Sequence, residues 1–411
     1  MSEISLYHPS GTLKGNIRLP ISKSECNRAQ VISAISGGMV QSTIFSAAED
    51  SQIMRRLLSD SHLFESDVKD AGTVMRFLTA YLAFQPGEHI LKGSSRMQER
   101  PIGPLVDALN LLGADINWGG KMVFPPLRII GNNPEDCGGK VKLPGTVSSQ
   151  FLSALAMVGP TLEKGLEVEI IGPLFSAPYL QLTFSFLRRC GIEIQEHEKG
   201  FHISRQKFIP TILNPAPDWS AAGYWFSIAG LAKEADIFLE GLEWNSFQAD
   251  KMAIDFFESF GVQAQQEGGG IRLVKINSSE THPQKFDFLG CPDLAQTMAV
   301  FLAAKNWKGS LSGLKSLRIK ETDRIAALQQ ELKKTGIVLN EIKPGEVEFS
   351  GKFTFPDQRI ATYNDHRMAM AFAALAVIGE KIEIADPEVV EKSYPEFWKD
   401  LKKMGFIVSE K

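Results

Sequence analysis

Six segments of this chain share one pattern, in which a run of helical composition ends at a glycine and a strand-like, mostly β-branched run follows. The glycines that end these runs are Gly37, Gly113, Gly191, Gly261, Gly336 and Gly405. Successive glycines lie about 76, 78, 70, 75 and 69 residues apart. Glycine adopts the left-handed conformation that ends a helix, and β-branched residues favour strands. The spacing therefore predicts one supersecondary unit copied six times, each copy being a small α/β module that shares a core with its neighbours.

The composition is that of a globular enzyme-sized chain. Of 411 residues, 44% are hydrophobic and 22% are charged, and the length predicts two or three domains. No apolar run reaches the ~18 residues of a membrane span, and the N-terminus lacks an export signal. The four cysteines show no CxxC spacing, which argues against a metal site and a disulfide framework. We expect a cytoplasmic protein without metal or membrane association.

Basic residues recur in turns that precede apolar helices. The net charge of −4 gives no reason to expect nucleic-acid binding, yet Lys23, Arg28, Lys320 and Arg324 lie beside such turns. Each one alone would be interpreted as a solvated capping residue. A helix N-terminus offers unpaired N–H groups and the positive end of a dipole, so several of them together predict a site for small polyanions.

These turns carry a family resemblance. The chain resembles the EPSP synthase family of enolpyruvyl transferases over nearly all of its 411 residues, with several motifs in the family's order. The motifs are Ser22-Lys23-Ser24 with Asn27-Arg28-Ala29, Ala71-Gly72-Thr73 with Met75-Arg76, Glu99-Arg100-Pro101-Ile102-Gly103, Ser148-Ser149-Gln150, Pro292-Asp293, Lys320-Glu321-Thr322-Asp323-Arg324, Asp365-His366-Arg367, and the lysine of Lys392-Ser393-Tyr394-Pro395.

The resemblance implies a two-domain inside-out α/β barrel in which each domain holds three βαβαββ repeats, six in all. By similarity the first lobe comprises residues 1–19 and 219–411, and the second lobe comprises residues 20–218. The N-terminal strand would then belong with the C-terminal half. The six glycine junctions divide as three and three between these lobes.

The resemblance also implies a reaction. The family transfers the enolpyruvyl group of phosphoenolpyruvate to the 5-hydroxyl of shikimate 3-phosphate by addition and elimination, without a cofactor. This is the sixth step of the shikimate pathway to chorismate and aromatic amino acids, and the target of glyphosate. The expected partners are these two small molecules, and a monomer is expected.

Motif positions give the expected site residues. The residues expected to bind shikimate 3-phosphate are Lys23, Ser24, Arg28, Ser148, Ser149, Gln150, Ser176, Asp293, Ser316 and Lys320. The residues expected to bind phosphoenolpyruvate are Lys23, Asp70, Gly72, Arg100, Gln150, Arg324, Arg367 and Lys392. Lys23, Asp293 and Glu321 are the expected catalytic residues. Asp293 and Glu321 are the acid and base candidates, and the motifs leave open which carboxyl transfers which proton.

The chain departs from the family pattern at several positions. Ile21, Cys26, Phe77, Ser316 and Asn364 replace other residue types at motif positions. Asp70 replaces the asparagine that precedes Ala71-Gly72-Thr73, next to the expected phosphoenolpyruvate site. An ionised Asp70 would repel the substrate unless Arg76 or Arg100 paired with it, or unless it capped the helix predicted at 71–80.

Two alternative functions remain at this stage. The chain could be an enolpyruvyl transferase that acts on another acceptor, or a non-catalytic anion-binding homologue. Asp293 and Glu321 argue against the second, because a pure anion binder gains nothing from carboxylates. Three histidines, His8, His62 and His282, are predicted to lie at the surface.

Overall fold

The chain folds into two compact units. A computed structural model describes residues 2–60, 64–277 and 282–410. The split unit comprises Met1–Pro20 and Ala216–Lys411, and the inserted unit comprises Ile21–Pro215. These boundaries lie one residue and three residues from those expected from the resemblance. His62 lies outside the described residues.

Along the sequence, the elements of the inserted unit come between the two segments of the split unit. The split unit begins with two strands, β1 (Glu3–Tyr7) and β2 (Thr12–Arg18). The inserted unit then contains, in chain order, α1 (Lys23–Ile35), β3 (Val40–Gln41), α2 (Glu49–Ser59), β4 (Glu65–Asp67), α3 (Gly72–Leu82), β5 (Gly87–Lys92), α4 (Gly103–Leu111), β6 (Asp115–Trp118), β7 (Leu127–Gly131), β8 (Gly139–Pro144), α5 (Ser149–Val158), β9 (Leu166–Ile171), α6 (Ala177–Arg189), β10 (Gln195–His197), β11 (Gly200–Ile203) and β12 (Thr211–Ile212).

The rest of the split unit follows. Its elements are α7 (Trp219–Leu231), β13 (Glu234–Glu240), α8 (Ala253–Glu258), β14 (Val262–Glu267), β15 (Gly270–Lys275), β16 (Lys285–Asp287), α9 (Ala295–Ala304), β17 (Ser310–Ser312), α10 (Arg324–Lys333), β18 (Ile337–Lys343), β19 (Glu346–Gly351), α11 (His366–Ala373), β20 (Ile382–Ala385), α12 (Phe397–Lys403) and β21 (Ile407–Glu410).

Each unit contains three sheets among the described residues. Four sheets have four strands, in the orders β4-β5-β7-β6, β10-β11-β9-β8, β14-β15-β13-β2 and β16-β17-β19-β18. In each of these, the first two strands of the copy pair in parallel and the last two form an antiparallel hairpin. This is the βαβαββ topology, and the predicted fold class is confirmed.

The other two sheets depart from the full pattern. The copy that contains Gly37 forms only the two-stranded parallel sheet β12-β3. The last copy is completed by the chain's first strand, because β1 pairs in antiparallel fashion with both β20 and β21. The N-terminal strand therefore belongs with the C-terminal half.

The six glycines have the predicted conformation. Their φ angles are 62° (Gly37), 103° (Gly113), 83° (Gly191), 80° (Gly261), 74° (Gly336) and 91° (Gly405). Each one follows a helix and precedes a strand, as predicted. A residue with a Cβ would be strained at these angles, which explains why glycine recurs at this point of the repeat.

The helices lie inside and the sheets cover them. Eleven of the thirteen residues of α7 are buried, and α5, α9 and α11 are buried over almost their whole length. The outer strands alternate instead: in β2, Leu13 and Ile17 are buried, Lys14 and Asn16 are exposed, and Gly15 is half-buried. No α-helix among the described residues combines the length and apolar character needed to cross a membrane.

His8 contradicts its predicted surface position. Its side chain is buried, and its Nδ1 accepts a hydrogen bond from the Gly11 amide at 2.9 Å. Its Nε2 lies 3.1 Å from the carbonyl oxygen of Met404. The imidazole thus joins the turn after β1 to the end of α12, a contact between residues about 400 positions apart that local sequence does not reveal.

Asp250 is a buried carboxyl group in the interior of the split unit. It is 2% exposed, and its Oδ2 accepts a hydrogen bond from Ser220 Oγ at 2.5 Å. Its Oδ1 is buried and has no hydrogen-bond partner among the described residues. Burial raises the pKa of Asp250 to about 7; Arg367 opposes this rise and Asp293 adds to it.

Three glycine substitutions separate backbone strain from steric contact. At Gly37 an added Cβ meets nothing within 4 Å. Gly37→Ala should therefore lower the unfolding free energy only through the strain of a left-handed alanine, by about 1–2 kcal/mol. At Gly336 the Cβ would lie 2.5 Å from the Lys352 carbonyl oxygen, so Gly336→Ala should cost more. Gly268→Ala is the control, because that Cβ meets nothing and the backbone is not left-handed. Urea unfolding measures the unfolding free energy of all three variants. Equal losses of stability would contradict the separation of backbone strain from steric contact.

Asp250 should make stability depend on pH. Between its ordinary pKa of 3.8 and its folded pKa of about 7, the folded protein binds a proton that the unfolded chain lacks. Stability therefore falls as pH rises through this range, and the loss is complete above pH 7. The unfolding free energy of Asp250→Asn, measured in urea, should therefore rise relative to that of the wild type by about 1–4 kcal/mol between pH 5 and pH 8. The exposed Asp255→Asn serves as the control. A gain that does not change with pH would contradict the buried-acid interpretation.

Candidate active site

Arg324 is the centre of an ion cluster in the split unit. It is the first residue of α10, follows the helix cap Asp323, and is 1% exposed. Its Nε donates to Asp365 Oδ2 at 2.7 Å and its Nη1 donates to Asp293 Oδ1 at 3.0 Å. Its Nη2 donates to Glu321 Oε2 at 2.8 Å. One buried guanidinium therefore binds three carboxylates.

Helix starts place these carboxylates. Asp293 lies in the one-turn segment Pro292–Leu294 that leads into α9. Asp365 caps α11, and its Oδ1 accepts from the Arg367 amide at 2.8 Å. Glu321 lies three residues before Arg324, in the loop that enters α10. Neither Asp293 nor Glu321 is an isolated surface carboxylate, because their side chains are 19% and 12% exposed.

Asp293 is surrounded by cations. Arg367 Nη2 lies 3.1 Å from its Oδ2, and Lys320 Nζ lies 3.5 Å from its Oδ1. Burial would raise the pKa of Asp293, but the charges of Arg367, Lys320 and Arg324 together hold it well below its usual value. Asp293 is therefore an ionised carboxylate near neutral pH.

Lys392 completes the cluster. It ends the segment Pro387–Lys392, and its Nζ lies 3.9 Å from Glu321 Oε1. We call Asp293, Lys320, Glu321, Arg324, Asp365, Arg367 and Lys392 the Arg324 cluster; it contains four cations and three carboxylates. The structure thus brings together every site residue that the sequence predicted in this unit except Ser316, which lies half-buried in the neighbouring turn Lys315–Ile319.

The sequence did not identify all the partners of Arg367. Its Nη1 lies 3.4 Å from the Tyr224 hydroxyl, and its Nη2 lies 3.5 Å from Ser220 Oγ. Both partners are on α7, which carries none of the predicted site residues. Asp365 was likewise part of a motif without being identified as a partner of Arg324.

Lys23 begins the first helix of the inserted unit. Ser22 caps α1 by accepting from the Glu25 amide at 3.5 Å. Lys23 Nζ lies 3.0 Å from Asp50 Oδ2, and the Asp50 side chain is 5% exposed. A buried carboxylate therefore orients this lysine, and the sequence had given no signal for Asp50.

Arg28 is buried against α6. Its donors contact Thr183 Oγ1 at 2.7 Å, Ser24 O at 2.8 Å and Tyr179 O at 3.1 Å. Burial lowers its pKa to about 10. The ring of Phe77, one of the departures from the family pattern, lies 5.3 Å from its guanidinium carbon. These contacts fix Arg28 within the protein, and its binding of shikimate 3-phosphate stays a prediction.

Arg100 packs against the start of α3. A Cβ on Gly72 would lie 2.5 Å from Arg100 Nη2, so only glycine allows this approach. Arg100 Nη1 donates to the backbone carbonyl of Asp70 at 3.4 Å, and Ser94 Oγ donates to Asp70 Oδ1. Asp70 does not cap the helix, because the cap position of α3 is Ala71 and carries no side-chain hydrogen bond. That explanation for the departure is wrong.

The remaining predicted residues lie at two other helix starts. Ser148 caps α5 by accepting from the Gln150 amide at 3.3 Å, with Ser149 as the first helical residue. Gln150 Nε2 donates to Thr73 Oγ1 at 2.9 Å, which links the start of α5 to that of α3. Ser176 precedes α6 with a left-handed φ of 55°. The anion-binding roles of these residues stay predictions.

Comparison with known proteins gives one consistent family. The family model for EPSP synthase (3-phosphoshikimate 1-carboxyvinyltransferase) matches residues 46–401. A 3-phosphoshikimate 1-carboxyvinyltransferase of Bacteroides fragilis is 42% identical over 399 residues, which cover 96% of each chain. A protein of the same name from Haemophilus influenzae is 34% identical, covering 98% of this chain and 99% of the relative.

Solved structures share the fold. The EPSP synthase of Acinetobacter baumannii superposes with a TM-score of 0.77 over the full length of both chains, at 22% identity. The enolpyruvyl transferase NikO of Streptomyces tendae gives a TM-score of 0.74 at 12% identity, over 100% and 99% of the two chains. The extent of the family match and the identity to full-length relatives lead to one conclusion: this chain belongs to the EPSP synthase family.

Proposed function

We propose that this enzyme transfers the enolpyruvyl group of phosphoenolpyruvate to the 5-hydroxyl of shikimate 3-phosphate, giving 5-enolpyruvylshikimate 3-phosphate and phosphate. The names of the full-length relatives support this activity. The observation that carries the proposal is the Arg324 cluster, in which an ionised carboxylate lies among cations. Such a site suits a reaction between anions in which a hydroxyl group loses its proton.

The chemistry follows from the two carboxylates. Asp293 is ionised and accepts the proton of the attacking hydroxyl as the oxygen bonds to C2 of phosphoenolpyruvate. A carboxylic acid delivers a proton to C3 in the same addition step. When the bond from C2 to the phosphate oxygen breaks, the conjugate base removes a C3 proton and the proton held by Asp293 passes to the departing phosphate. Glu321, bound between Arg324 and Lys392, is our candidate for these C3 transfers. The cations neutralise the phosphate and carboxylate groups that approach one another.

We assign the binding residues by motif position. In the split unit, Arg324, Arg367 and Lys392 bind phosphoenolpyruvate, and Lys320 and Ser316 bind shikimate 3-phosphate. In the inserted unit, Arg100 and Gly72 bind phosphoenolpyruvate. Two residues, Lys23 and Gln150, bind both ligands. Five residues bind shikimate 3-phosphate alone: Ser24, Arg28, Ser148, Ser149 and Ser176. Arginine suits bidentate contacts with phosphate and carboxylate, whereas lysine acts as a point charge.

We further propose that the protein works in the cytoplasm as a monomer. All four cysteines have buried free thiols, which fits a reducing compartment. Light scattering of the purified protein tests the monomer directly.

One assay separates the three candidate functions. Phosphate release is measured with phosphoenolpyruvate and shikimate 3-phosphate together, and then with each compound alone. Release only with both supports the proposal. Release that requires a different acceptor would indicate another enolpyruvyl transferase, and tight binding without any release would indicate an anion-binding homologue.

Asp293→Asn and Glu321→Gln should each lower kcat by about 10²–10⁴-fold, because each removes a group that transfers a proton. Steady-state phosphate release measures the loss, and rapid-quench experiments show whether the tetrahedral adduct still forms. Asp255→Asn, an exposed aspartate on α8, is the matched control and should keep full activity. If either site variant retained wild-type kcat, that carboxyl would have no place in the mechanism.

Asp70→Asn should lower the KM for phosphoenolpyruvate and tighten inhibition by glyphosate, with little change in the KM for shikimate 3-phosphate. The substitution removes the negative charge of a residue whose backbone carbonyl accepts from Arg100, and it supplies an amide donor. Steady-state kinetics with each substrate varied in turn measures the effect.

Ser94→Ala provides the complementary variant. It removes the hydroxyl that donates to Asp70 Oδ1 but keeps the charge, so it should leave the KM for phosphoenolpyruvate equal or higher. If both variants bound phosphoenolpyruvate like the wild type, Asp70 would have no role in substrate affinity.

A further inference from the structure

The turn before α11 has an unusual backbone. Tyr363 and Asn364 both have a φ of 54°, the left-handed region that side chains with a Cβ rarely adopt. Asparagine tolerates this region, but a tyrosine there is uncommon. Asp365 follows directly, and its carboxylate accepts from both Arg324 Nε and the Arg367 amide. The strained pair therefore adjoins the carboxylate that binds the Arg324 side chain and the Arg367 backbone amide.

One buried carboxylate contacts this turn from α10. Glu331 is 1% exposed, and its Oε1 lies 2.7 Å from the Tyr363 hydroxyl. Its Oε2 accepts from the Ala361 amide at 3.0 Å and from Lys334 Nζ at 2.6 Å. Glu331 thus binds the segment on both sides of Thr362. The Tyr363 hydroxyl also lies 2.7 Å from Gln330 Oε1, on the exposed side of the helix.

Glu331 and Arg324 occupy one face of the same helix. They are seven residues apart, which is two helical turns, so their side chains project in similar directions. Arg324 binds Asp365 at one end of the turn, and Glu331 binds Ala361 and Tyr363 at the other. The turn therefore lies along α10 and is attached to it at both ends.

A buried carboxylate is costly unless its hydrogen bonds repay the loss of water. Burial and the hydrogen bond to Glu331 raise the pKa of Tyr363, so its hydroxyl remains protonated and can donate. Lys334 also compensates the charge of Glu331, and its Nζ donates to the carbonyl oxygen of Arg359 at 2.9 Å. Glu331 is thus stabilised by Lys334 together with the two hydrogen bonds from the turn.

We propose that Glu331 and Tyr363 are a positioning pair, which holds the turn in its left-handed conformation and thereby places Asp365, Arg324 and Arg367 for phosphoenolpyruvate. The inference rests on the proposed function for the identity of the ligand. Neither residue touches substrate; both act through Asp365.

The first test removes only the hydroxyl. Tyr363→Phe should raise the KM for phosphoenolpyruvate about tenfold and leave the KM for shikimate 3-phosphate within about twofold. Glu331→Gln should do the same, because an amide is a weaker acceptor than a carboxylate. Lys333→Met is the matched control: it removes an exposed lysine from the last position of the same helix, and its kinetics should match the wild type.

A second pair of variants distinguishes conformational control from packing. Tyr363→Ala and Tyr363→Gly both lose the ring and the hydroxyl, but only glycine adopts the left-handed conformation without strain. If the pair acts by holding that conformation, the glycine variant should have the lower KM for phosphoenolpyruvate, by about threefold or more. If Tyr363 acts only through its packed ring, the glycine variant will be equal or worse, which overturns the proposal.

Hydrogen exchange provides a measurement that is independent of activity. The amides of Ala361 and Arg367 should exchange at least tenfold faster in Tyr363→Ala than in the wild type, because their acceptors Glu331 and Asp365 are no longer held. Unchanged exchange would overturn the positioning role. If the wild type released no phosphate with both substrates, the proposed function would fail, yet the exchange experiment would still decide whether the pair holds the turn.

Discussion

The guanidinium group of Arg324 is the interaction on which the rest of the site depends. It is buried to 1% exposure and shared among Asp293, Glu321 and Asp365. Without Arg324, three carboxylates would lose the cation that they share. Uncompensated buried charges are among the costliest defects in a protein. The same charge helps to keep Asp293 ionised and fixes the cap of α11. One side chain therefore couples the electrostatics of the site to the packing of the helix that carries Arg367.

The fold makes such a site possible because apolar and polar residues occupy different parts of each helix. The bodies of α5, α7, α9 and α11 are apolar and fill the interior, while their first turns carry the polar residues. Amide groups at these first turns have no partner within the helix, so side chains such as Asp365 and Ser148 bind them. The interior thus remains closely packed while polar groups collect at helix starts, where an anion can be bound without burying unpaired charges in the core.

Sequence reasoning succeeded where the determinant is local. The glycine junctions follow from a backbone conformation that only glycine adopts freely, and all six were found in that conformation. Six of the seven residues of the Arg324 cluster were expected from the family motifs, whereas Asp365 was not. Three features could not be found in this way, because each depends on contacts between distant segments: the carboxylate Asp50 beside Lys23, the buried His8, and the reduced sheet around Gly37. Asp70 was misjudged as a possible cap because the helix begins at Gly72, with Ala71 at the cap position.

The insertion of one unit within the other has a consequence for biosynthesis. The inserted unit is continuous and has all its strands once residue 215 leaves the ribosome, whereas Thr12 of β2 pairs with Glu234 and Tyr7 of β1 pairs with Ile407. β2 therefore has no partner until residues 234–240 are made, and β1 has none until residues 382–385 are made, a state in which exposed strand edges invite aggregation. Lys14 and Arg18 place charges on the exposed face of β2 throughout that wait. Charges on an unpaired strand disfavour its aggregation, and on β2 they are needed for this only until β13 is synthesised.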